Sequence, residues 1–312
     1  MTLVLVRHGE SDWNKKNLFS GWVDCELAAG AVNDTKRASE LIGKYMSSKS
    51  AKPTAALTPR GDDHHHDDDA EHKHEADINS KFDICYASVL KRSIQTANSI
   101  LLSLDELYLP IKKSWRLNER FYGELTGQSK TAAVQKYGKE KVKLWRRSYD
   151  HPPPPVEKFN PWNPMHEKKY YNLADFDISK DFPSTEALKD VIERVEPLWK
   201  HEILPLIKQG KNVLLSIHGT SLRAIIALIE NEHQNYTLDK DTISKLEIPN
   251  GYPVVYEFNK DGTLNVSEED ADWIEKQYSI LNVAKVHGRF LGDLDELFAA
   301  QKKVKNQIEA KM

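Results

Sequence analysis

Two histidines, His8 and His218, each end a short apolar run and are each followed by a glycine. Arg7 directly precedes His8, so a guanidinium stands beside an imidazole. A neutral imidazole can attack phosphorus and form a phosphohistidine, which divides a difficult phosphoryl transfer into two easier steps. Arginine forks match the charge that spreads over phosphoryl oxygens. The pattern therefore indicates phosphoryl transfer, although an isolated Arg-His-Gly tripeptide fits a histidine at the edge of a core equally well.

Short β-branched runs alternate along the chain with helical patterns that would position these histidines. Helical spacing relates Ile94 to Leu104, and it relates Leu188 to Val195 after the candidate cap residues Ser184 and Thr185. This alternation predicts an α/β fold with a doubly wound, mostly parallel sheet and helices on both faces. Ligands of such sheets bind beyond the carboxyl ends of the strands, so we expect both histidines to face one pocket. The predicted strands are residues 2–6, 82–86, 213–217 and 254–258.

The composition limits the classes of protein to consider. The chain has 312 residues, 39% of them hydrophobic, and a formal net charge of −3, which argues against a globally basic nucleic-acid binder. Cys25 and Cys85 lack a CxxC spacing, which indicates a reducing compartment. No apolar run approaches the roughly 18 residues that a membrane helix needs. We therefore predict a cytoplasmic protein with no membrane partner and no nucleic-acid partner.

Three segments interrupt or extend the main pattern. Residues 1–262 are predicted to form the α/β domain, with a disordered polar insert at about 50–80, and residues 263–312 a C-terminal extension with a tail helix. The insert contains DDHHHDDDAEHKHE at 62–75, which is too polar to fold on its own and whose histidines could bind a transition metal weakly. Residues 151–183 begin with HPPPP and are expected to be ordered but irregular.

Longer blocks of sequence carry a family resemblance. LVRHGESDWN at 5–14 resembles the signature of the histidine phosphatase superfamily. Further blocks, in the same order, resemble its cofactor-dependent phosphoglycerate mutase branch, and RFLGDLDEL at 289–297 resembles the start of that family's tail helix, which flanks the active-site mouth. The blocks are NLFSGWVD at 17–24, WRLNERFYGELTG at 115–127, WRRSYDHPPPP at 145–155, HGTSLRAI at 218–225 and PNGYPVVYEF at 249–258.

The resemblance implies a role for each matching catalytic position. His8 matches the phosphorylated histidine, and Arg7 and Arg92 match the arginines that hold the transferring phosphoryl group. His218 matches a second histidine that stabilises the charge of that group. Glu119 matches the proposed general acid and base, a task that suits a carboxylate whose pKa is raised toward neutrality. The alternative for Glu119 is a surface salt bridge with a neighbouring arginine.

The resemblance also implies a set of substrate contacts. Arg146 and Arg147, if taken alone, would fit a solvated helix face equally well, and Lys130 is a common residue at a helix start. The implied substrate-binding residues are Ser11, Asn14, Ser20, Gly21, Tyr122, Lys130, Arg146, Arg147, Gly219 and Thr220.

Two positions depart from the family pattern. Thr220 stands where the family usually has asparagine, which would cost one donor if the family contact uses the side-chain amide. Phe121 stands where the family usually has histidine, and an apolar neighbour could raise the pKa of Glu119. Neither change removes the nucleophile, its arginines or the proposed acid.

The resemblance implies a metal-independent isomerase that interconverts 3-phosphoglycerate and 2-phosphoglycerate in glycolysis and gluconeogenesis. In this hypothesis 2,3-bisphosphoglycerate primes phospho-His8, phosphoglycerates are the small-molecule partners, and the chain forms a homodimer or homotetramer. Two alternatives remain open. One is a bisphosphoglycerate synthase or phosphatase, and the other is a weakly active or non-catalytic paralogue that binds phosphoglycerates or partner proteins.

Overall fold

A six-stranded sheet with the order β3–β2–β4–β1–β5–β6 lies at the centre of the computed structural model, which describes residues 1–50, 80–232, 239–281 and 286–306. Strands β3, β2, β4 and β1 are parallel to one another, β5 is antiparallel to β1, and β6 is antiparallel to β5. The prediction of a mostly parallel sheet is therefore confirmed. The strands are β1 (Thr2–Arg7), β2 (Ile84–Ala87), β3 (Ile111–Lys113), β4 (Val213–Ile217), β5 (Val254–Glu257) and β6 (Arg289–Phe290).

Helices cover both faces of this sheet. Alternate residues of a strand point to opposite faces, so Leu3 and Leu5 of β1 pack in one apolar cluster, whereas Val4 and Val6 pack in another. The first cluster includes side chains of α7, α8 and α9, and the second includes those of α2 and α3. The helices are α1 (Asp12–Lys15), α2 (Ala31–Ser50), α3 (Lys91–Ser103), α4 (Lys130–Tyr137), α5 (Lys139–Arg147), α6 (Lys168–Tyr171), α7 (Leu188–Leu198), α8 (Leu204–Lys208), α9 (Gly219–Glu232), α10 (Lys240–Lys245), α11 (Glu268–Leu281) and α12 (Leu294–Asn306), with a π-helical turn at Trp199–Ile203 and 3₁₀ turns at Trp115–Leu117, Gly123–Leu125 and Pro164–His166.

The start of α7 differs from the sequence expectation. The helix begins after Ala187, whose N–H donates to the Asp190 carboxylate at 2.7 Å. Ser184 and Thr185 are therefore not its caps, and the Thr185 hydroxyl instead donates to the Pro153 carbonyl at 2.8 Å. An acidic side chain in the first turn caps the helix here, since it satisfies a donor that the helix leaves free.

Residues 151–183 are ordered by aromatic packing, as expected. Trp22 is fully buried and stacks on Tyr170 with ring centroids 5.3 Å apart. Phe176 and Phe182 lie against the same indole at 6.2 and 6.1 Å. The irregular segment therefore folds onto the strand-end loop that carries Trp22, next to the ends of the parallel strands.

The C-terminal part contributes to the same sheet through β6 and adds α11 and α12. The boundary between 1–262 and 263–312 stays a prediction, and the polar insert, including 62–75, lies almost entirely outside the described residues. Among the residues that the structure describes, no helix combines the length and apolar character needed to cross a membrane.

Candidate active site

The parallel order β2–β4–β1 brings three sequence-distant residues together. His8 follows β1 and His218 follows β4, and their registers pair Arg7 with Ile217. The His8 N–H continues this ladder by donating to the Ile217 carbonyl at 2.9 Å. The two imidazole rings lie with centroids 4.9 Å apart at 62°. Arg92 reaches the same place from the first turn of α3, which follows β2.

Hydrogen bonds set the tautomer of His8. Its Nδ1 lies 2.7 Å from the Gly9 carbonyl, which can only accept, so Nδ1 carries the proton. Nε2 is then the nitrogen that carries the lone pair, and it accepts a hydrogen bond from Arg92 Nε at 3.3 Å. A Cβ on Gly9 would lie 2.8 Å from the Ala31 Cβ, so the close approach of α2 requires glycine here.

The environment also keeps His8 neutral. Burial lowers the pKa of His8 well below its usual value, and the charges of Arg92 and Arg7 lower it further, although the Gly9 carbonyl opposes them. The imidazole is therefore unprotonated at neutral pH, the form in which Nε2 can attack phosphorus.

Arg92 is held rigidly by the protein itself. Its Nη1 donates to the Val23 carbonyl at 2.8 Å and its Nη2 to the Gly21 carbonyl at 2.9 Å, and the side chain is fully buried. Gly21 has φ of +48°, a conformation that favours glycine, and this turn presents its carbonyl to Arg92. Gly21 thus contacts the arginine, not the surface of the cleft.

One ring nitrogen of His218 faces Ser88. The Ser88 hydroxyl accepts from the Leu90 N–H at 3.1 Å and lies 2.7 Å from His218 Nε2, to which it can donate its own proton. Nδ1 then carries the imidazole proton, and it has no hydrogen-bond partner among the described residues. Burial, followed by Arg92 and His8, lowers the pKa of His218 well below its usual value. A neutral His218 can donate from Nδ1 to an anionic oxygen beside His8.

Glu119 faces this site as a carboxylate. Its Oε1 accepts the N–H groups of Arg120 at 2.7 Å and Thr220 at 3.3 Å. Burial by itself raises the pKa of Glu119, but hydrogen bonding to the Thr220 side chain and to the Arg120 N–H, together with the charges of Arg223 and Arg120, outweighs burial and lowers it. In the ligand-free protein Glu119 is therefore ionised and suited to accept a proton. The anion that enters the cleft would raise its pKa again.

The structure shows the surroundings of the two residues that depart from the family pattern, Phe121 and Thr220. Phe121 is fully buried with its ring 5.9 Å from Trp22 and 5.7 Å from Phe182, so it belongs to the aromatic packing. Our expectation that it acts on Glu119 as a neighbour of the carboxylate is not supported by this placement. Thr220 offers its backbone N–H to Glu119, while its hydroxyl accepts from Arg223 Nη2 at 3.2 Å.

A cleft of about 690 Å³, partly open to solvent, extends from His8 and Glu119 to a group of cations. We call Lys130, Arg146 and Arg147 the cation group. Burial, then Arg146 and Arg7, lowers the pKa of Lys130 well below its usual value. Burial and Arg147 lower the pKa of Arg146 to about 9. Mutual repulsion of buried cations indicates a place built to receive an anion.

Short-range contacts arrange the polar residues at the other wall. Ser11 caps α1, and its N–H and hydroxyl donate to Asn14 Oδ1 at 3.2 and 2.9 Å. Because this fixes the amide oxygen, the Asn14 NH₂ is left for the cleft, which Asn14 lines. Ser20 and Tyr122 also line the cleft.

Most, but not all, of the residues implied by sequence lie on the cleft surface. Ser11, Arg92 and His218 lie behind that surface and contact residues that form it, and Gly21 lies behind it and accepts from Arg92. The sequence-implied residues that line it are Arg7, His8, Asn14, Ser20, Glu119, Tyr122, Lys130, Arg146, Arg147, Gly219 and Thr220.

Three charged lining residues were missed from sequence: Arg120, Arg223 and Glu247. Arg223 lies three residues after Thr220 on α9, so helical spacing could have placed it on the same face. Arg120 donates to the carbonyls of Trp145 at 3.1 Å and Arg146 at 2.9 Å, and thereby holds the end of α5. No sequence pattern near Glu247 predicts that it lines the cleft, because its segment Leu246–Ile248 reaches the cleft only through tertiary packing.

The family model of the histidine phosphatase superfamily, branch 1, matches residues 3–49 and 68–163. This match covers His8, Arg92, Glu119 and the cation group. The matched residues are just under half of the chain, and over them the chain is similar to members of this superfamily.

Solved structures share the fold at low identity. YhfR of Bacillus stearothermophilus is 18% identical, over 85% of this chain and 95% of its own, with a TM-score of 0.51. A mycobacterial glucosyl-3-phosphoglycerate phosphatase is 17% identical over 82% and 92%, with a TM-score of 0.52. A putative alpha-ribazole-5'-P phosphatase from Escherichia coli is 18% identical over 85% and 94%, with a TM-score of 0.51. At these identities the similarity bears on the fold alone.

Proposed function

We propose that this protein is a phosphoglycerate mutase that interconverts 3-phosphoglycerate and 2-phosphoglycerate through phospho-His8. One observation carries the proposal: a single cleft joins a buried, neutral histidine to a second set of cations. A phosphatase needs to hold one phosphoryl group at the histidine. A mutase must also hold another anionic group of the same molecule while the phosphoryl group leaves and returns, and the cation group supports that task.

The primer in this proposal is 2,3-bisphosphoglycerate, and the residues fit its charge. Its transferred phosphate would lie at His8, where Arg7 Nε and His218 Nδ1 are donors without partners among the described residues. Its remaining anionic groups would contact the cation group. The resulting phosphohistidine needs no metal in this scheme, because the arginines and His218 supply the positive charge.

The reaction begins with phospho-His8. The free hydroxyl of a monophosphoglycerate attacks phosphorus, Glu119 accepts the hydroxyl proton, and the P–N bond breaks so that His8 Nε2 regains its lone pair. Arg92 Nε lies beside that nitrogen and can follow the phosphoryl oxygens. The bisphosphate then reorients, Nε2 attacks the other phosphate, and Glu119 returns the proton to the leaving oxygen.

An enolase-coupled assay with and without 2,3-bisphosphoglycerate tests this function, with His8→Ala as the control. We expect activity that depends on the primer, and a loss of at least about 10⁴-fold in kcat in the variant. Acid-labile labelling of His8 by the radioactive primer should accompany it, which a non-catalytic paralogue would not show. Folded protein that gives a flat trace under both conditions would contradict the proposal.

A bisphosphoglycerate synthase or phosphatase would use the same residues, and two of the structural relatives carry phosphatase names. The two functions differ in how readily water reaches phospho-His8. Phosphate release measured beside mutase flux separates them, and hydrolysis faster than isomerisation would favour the phosphatase.

We also propose that the enzyme acts in the cytoplasm as a homo-oligomer with phosphoglycerates as its partners. The support for a reducing compartment is that Cys25 and Cys85 are both buried and unpaired. Light scattering after size exclusion would measure the oligomeric state, and a monomer would contradict that part of the proposal.

A further inference from the structure

One carboxylate already occupies part of the cation group. Arg147 Nη2 forms a close ion pair with Glu247 Oε1, and both side chains line the cleft. Their side chains are 20% and 13% exposed, so the pair is largely shielded from water. Lys130 and Arg146, by contrast, make no hydrogen bond or ion pair through their side chains within the described residues.

The backbone around Glu247 is fixed from two sides. Gln301 Nε2 of α12 donates to the Glu247 carbonyl at 2.9 Å. The adjacent Ile248 carbonyl accepts from Arg7 Nη1 at 2.9 Å. The carboxylate is therefore presented to Arg147 by a segment anchored both to the tail helix and to an arginine of the histidine site.

The number of anionic groups on a ligand decides whether it must compete with Glu247 for Arg147. A monophosphoglycerate has one phosphate and one carboxylate, whereas 2,3-bisphosphoglycerate has two phosphates and one carboxylate. In the unphosphorylated protein the first group has the His8 site, and the second has Lys130 and Arg146. For the third group of a bisphosphate the remaining cation is Arg147, since Arg120 and Arg223 already donate to backbone carbonyls, and to reach Arg147 it must displace Glu247.

We propose that Glu247 is a specificity-determining residue that competes internally with a third anionic group, and so weakens binding of bisphosphorylated relative to monophosphorylated acids. This inference rests on the proposed function, because it takes phosphoglycerates as the ligands of the cleft. Since the primer binds before His8 is phosphorylated, Glu247 also raises the primer concentration that the enzyme requires.

Titration calorimetry on the full chain tests the inference in a His8→Ala background, which prevents phosphoryl transfer. The ligands are 2,3-bisphosphoglycerate and 3-phosphoglycerate, and the variants are E247Q, R147Q and the double variant. We expect E247Q to lower the Kd of the bisphosphate about tenfold, since a charged hydrogen-bonding partner is freed for the ligand. The Kd of the monophosphate should fall less than about threefold, because its two groups are already accommodated.

The double variant separates direct competition from a general change of charge. Without Arg147, E247Q should lower the Kd of the bisphosphate less than about threefold, because the cation that Glu247 occupies is gone. E247D keeps the charge and should bind like the parent. The matched control is E202Q, which removes the exposed Lys112–Glu202 ion pair and should change neither Kd.

Two results would overturn the inference while the proposed function stands: equal tightening for both ligands in E247Q, or a tenfold gain that persists without Arg147. Binding of neither ligand by any protein in the set would instead contradict the proposed function, and the inference would fall with it.

Discussion

The histidine site and the cation group of the same cleft are built in opposite ways. At the histidine site, Arg92 donates to two backbone carbonyls and to His8, and Ser88 orients His218. In the cation group, Lys130 and Arg146 have no such partners among the described residues, and Arg147 has only a carboxylate that a ligand can replace.

The two regions therefore suit different tasks: the histidine site suits the chemical step, and the cation group suits binding of the ligand. Groups that stabilise a transition state act best when the protein has already fixed them, because no reorganisation is then needed during the reaction. In the proposed mutase reaction the substrate must turn around between two phosphoryl transfers, so the groups that hold it are better left without partners in the protein. The cost is burial of, and repulsion among, these cations, which together lower the pKa values of Lys130 and Arg146.

The largest expected effect comes from an arginine-to-lysine substitution made once in each region. Arg92→Lys should lower kcat about 10²–10³-fold, because a lysine cannot reproduce the fork that joins His8 to two carbonyls. Arg147→Lys should raise KM about tenfold with little change in kcat, because the lysine loses the fork that would hold the ligand but lies away from the reacting nitrogen. Steady-state kinetics in the coupled assay measures both.

The same pair also separates the two regions by stability. Arg92→Lys should reduce the free energy of unfolding by about 1–3 kcal/mol through lost buried hydrogen bonds, whereas Arg147→Lys should change it by less. Equal effects of the two substitutions on kcat would break the contrast between the regions.

The pH dependence of stability sharpens the comparison for the histidine site. The pKa values of His8 and His218 are lowered by folding, so both are neutral in the folded and unfolded states above pH about 6.5. As the pH falls below about 6.5, the unfolded state binds protons that the folded state does not, and stability is lost. Each histidine contributes a slope of up to about 1.4 kcal/mol per pH unit.

Urea unfolding between pH 7.0 and 5.5 measures this slope. His8→Asn should reduce it, because one of the two buried neutral imidazoles is removed. A slope that is identical in parent and variant would show that His8 accepts a proton as readily in the folded protein as in the unfolded chain.

Replacing Lys130 should have a smaller effect, and it should raise the free energy of unfolding rather than lower it. Its side chain is almost buried, and burial together with Arg146 and Arg7 lowers its pKa, so its charge destabilises the ligand-free protein. Lys130→Met keeps the apolar stem and should raise the free energy of unfolding by about 1 kcal/mol, while 3-phosphoglycerate binding weakens about tenfold.

Urea unfolding and calorimetry of the same samples measure both quantities. Lys136→Met is the matched control on α4, since Lys136 is exposed, and it should change stability by no more than about 0.5 kcal/mol. Loss of stability in Lys130→Met would mean that Lys130 is a structural residue.

Sequence predicted the parts of the site that depend on strand ends. His8 and His218 follow runs whose β-branched pattern identifies β1 and β4, and parallel pairing of those strands brings the imidazoles together. The predicted sheet is confirmed for the same reason: short β-branched runs between helical patterns indicate buried strands.

Sequence could not reveal contacts that tertiary packing alone creates. Glu247 reaches Arg147 through a segment without regular structure, and no periodicity relates positions one hundred residues apart. The direction of the pKa shift of Glu119 also depends on Thr220 of α9, which only the folded chain brings to its carboxylate. The motif around Phe121 suggested a neighbour of the carboxylate, yet packing turns that ring toward Trp22.

The smallest expected effect concerns Thr220, which joins the two regions. Its backbone N–H contacts Glu119 and its hydroxyl accepts from Arg223, and the same side chain helps to lower the pKa of Glu119. Thr220→Asn keeps the N–H and offers an amide oxygen to Arg223, so kcat/KM should change by less than about threefold. Thr220→Val is the comparison variant, since it retains shape but removes the acceptor, and it should raise KM more than it lowers kcat. A large fall in kcat for either variant would place the Thr220 side chain among the groups that act on the reacting atoms, and the division between fixed chemistry and free recognition would then not hold at this position.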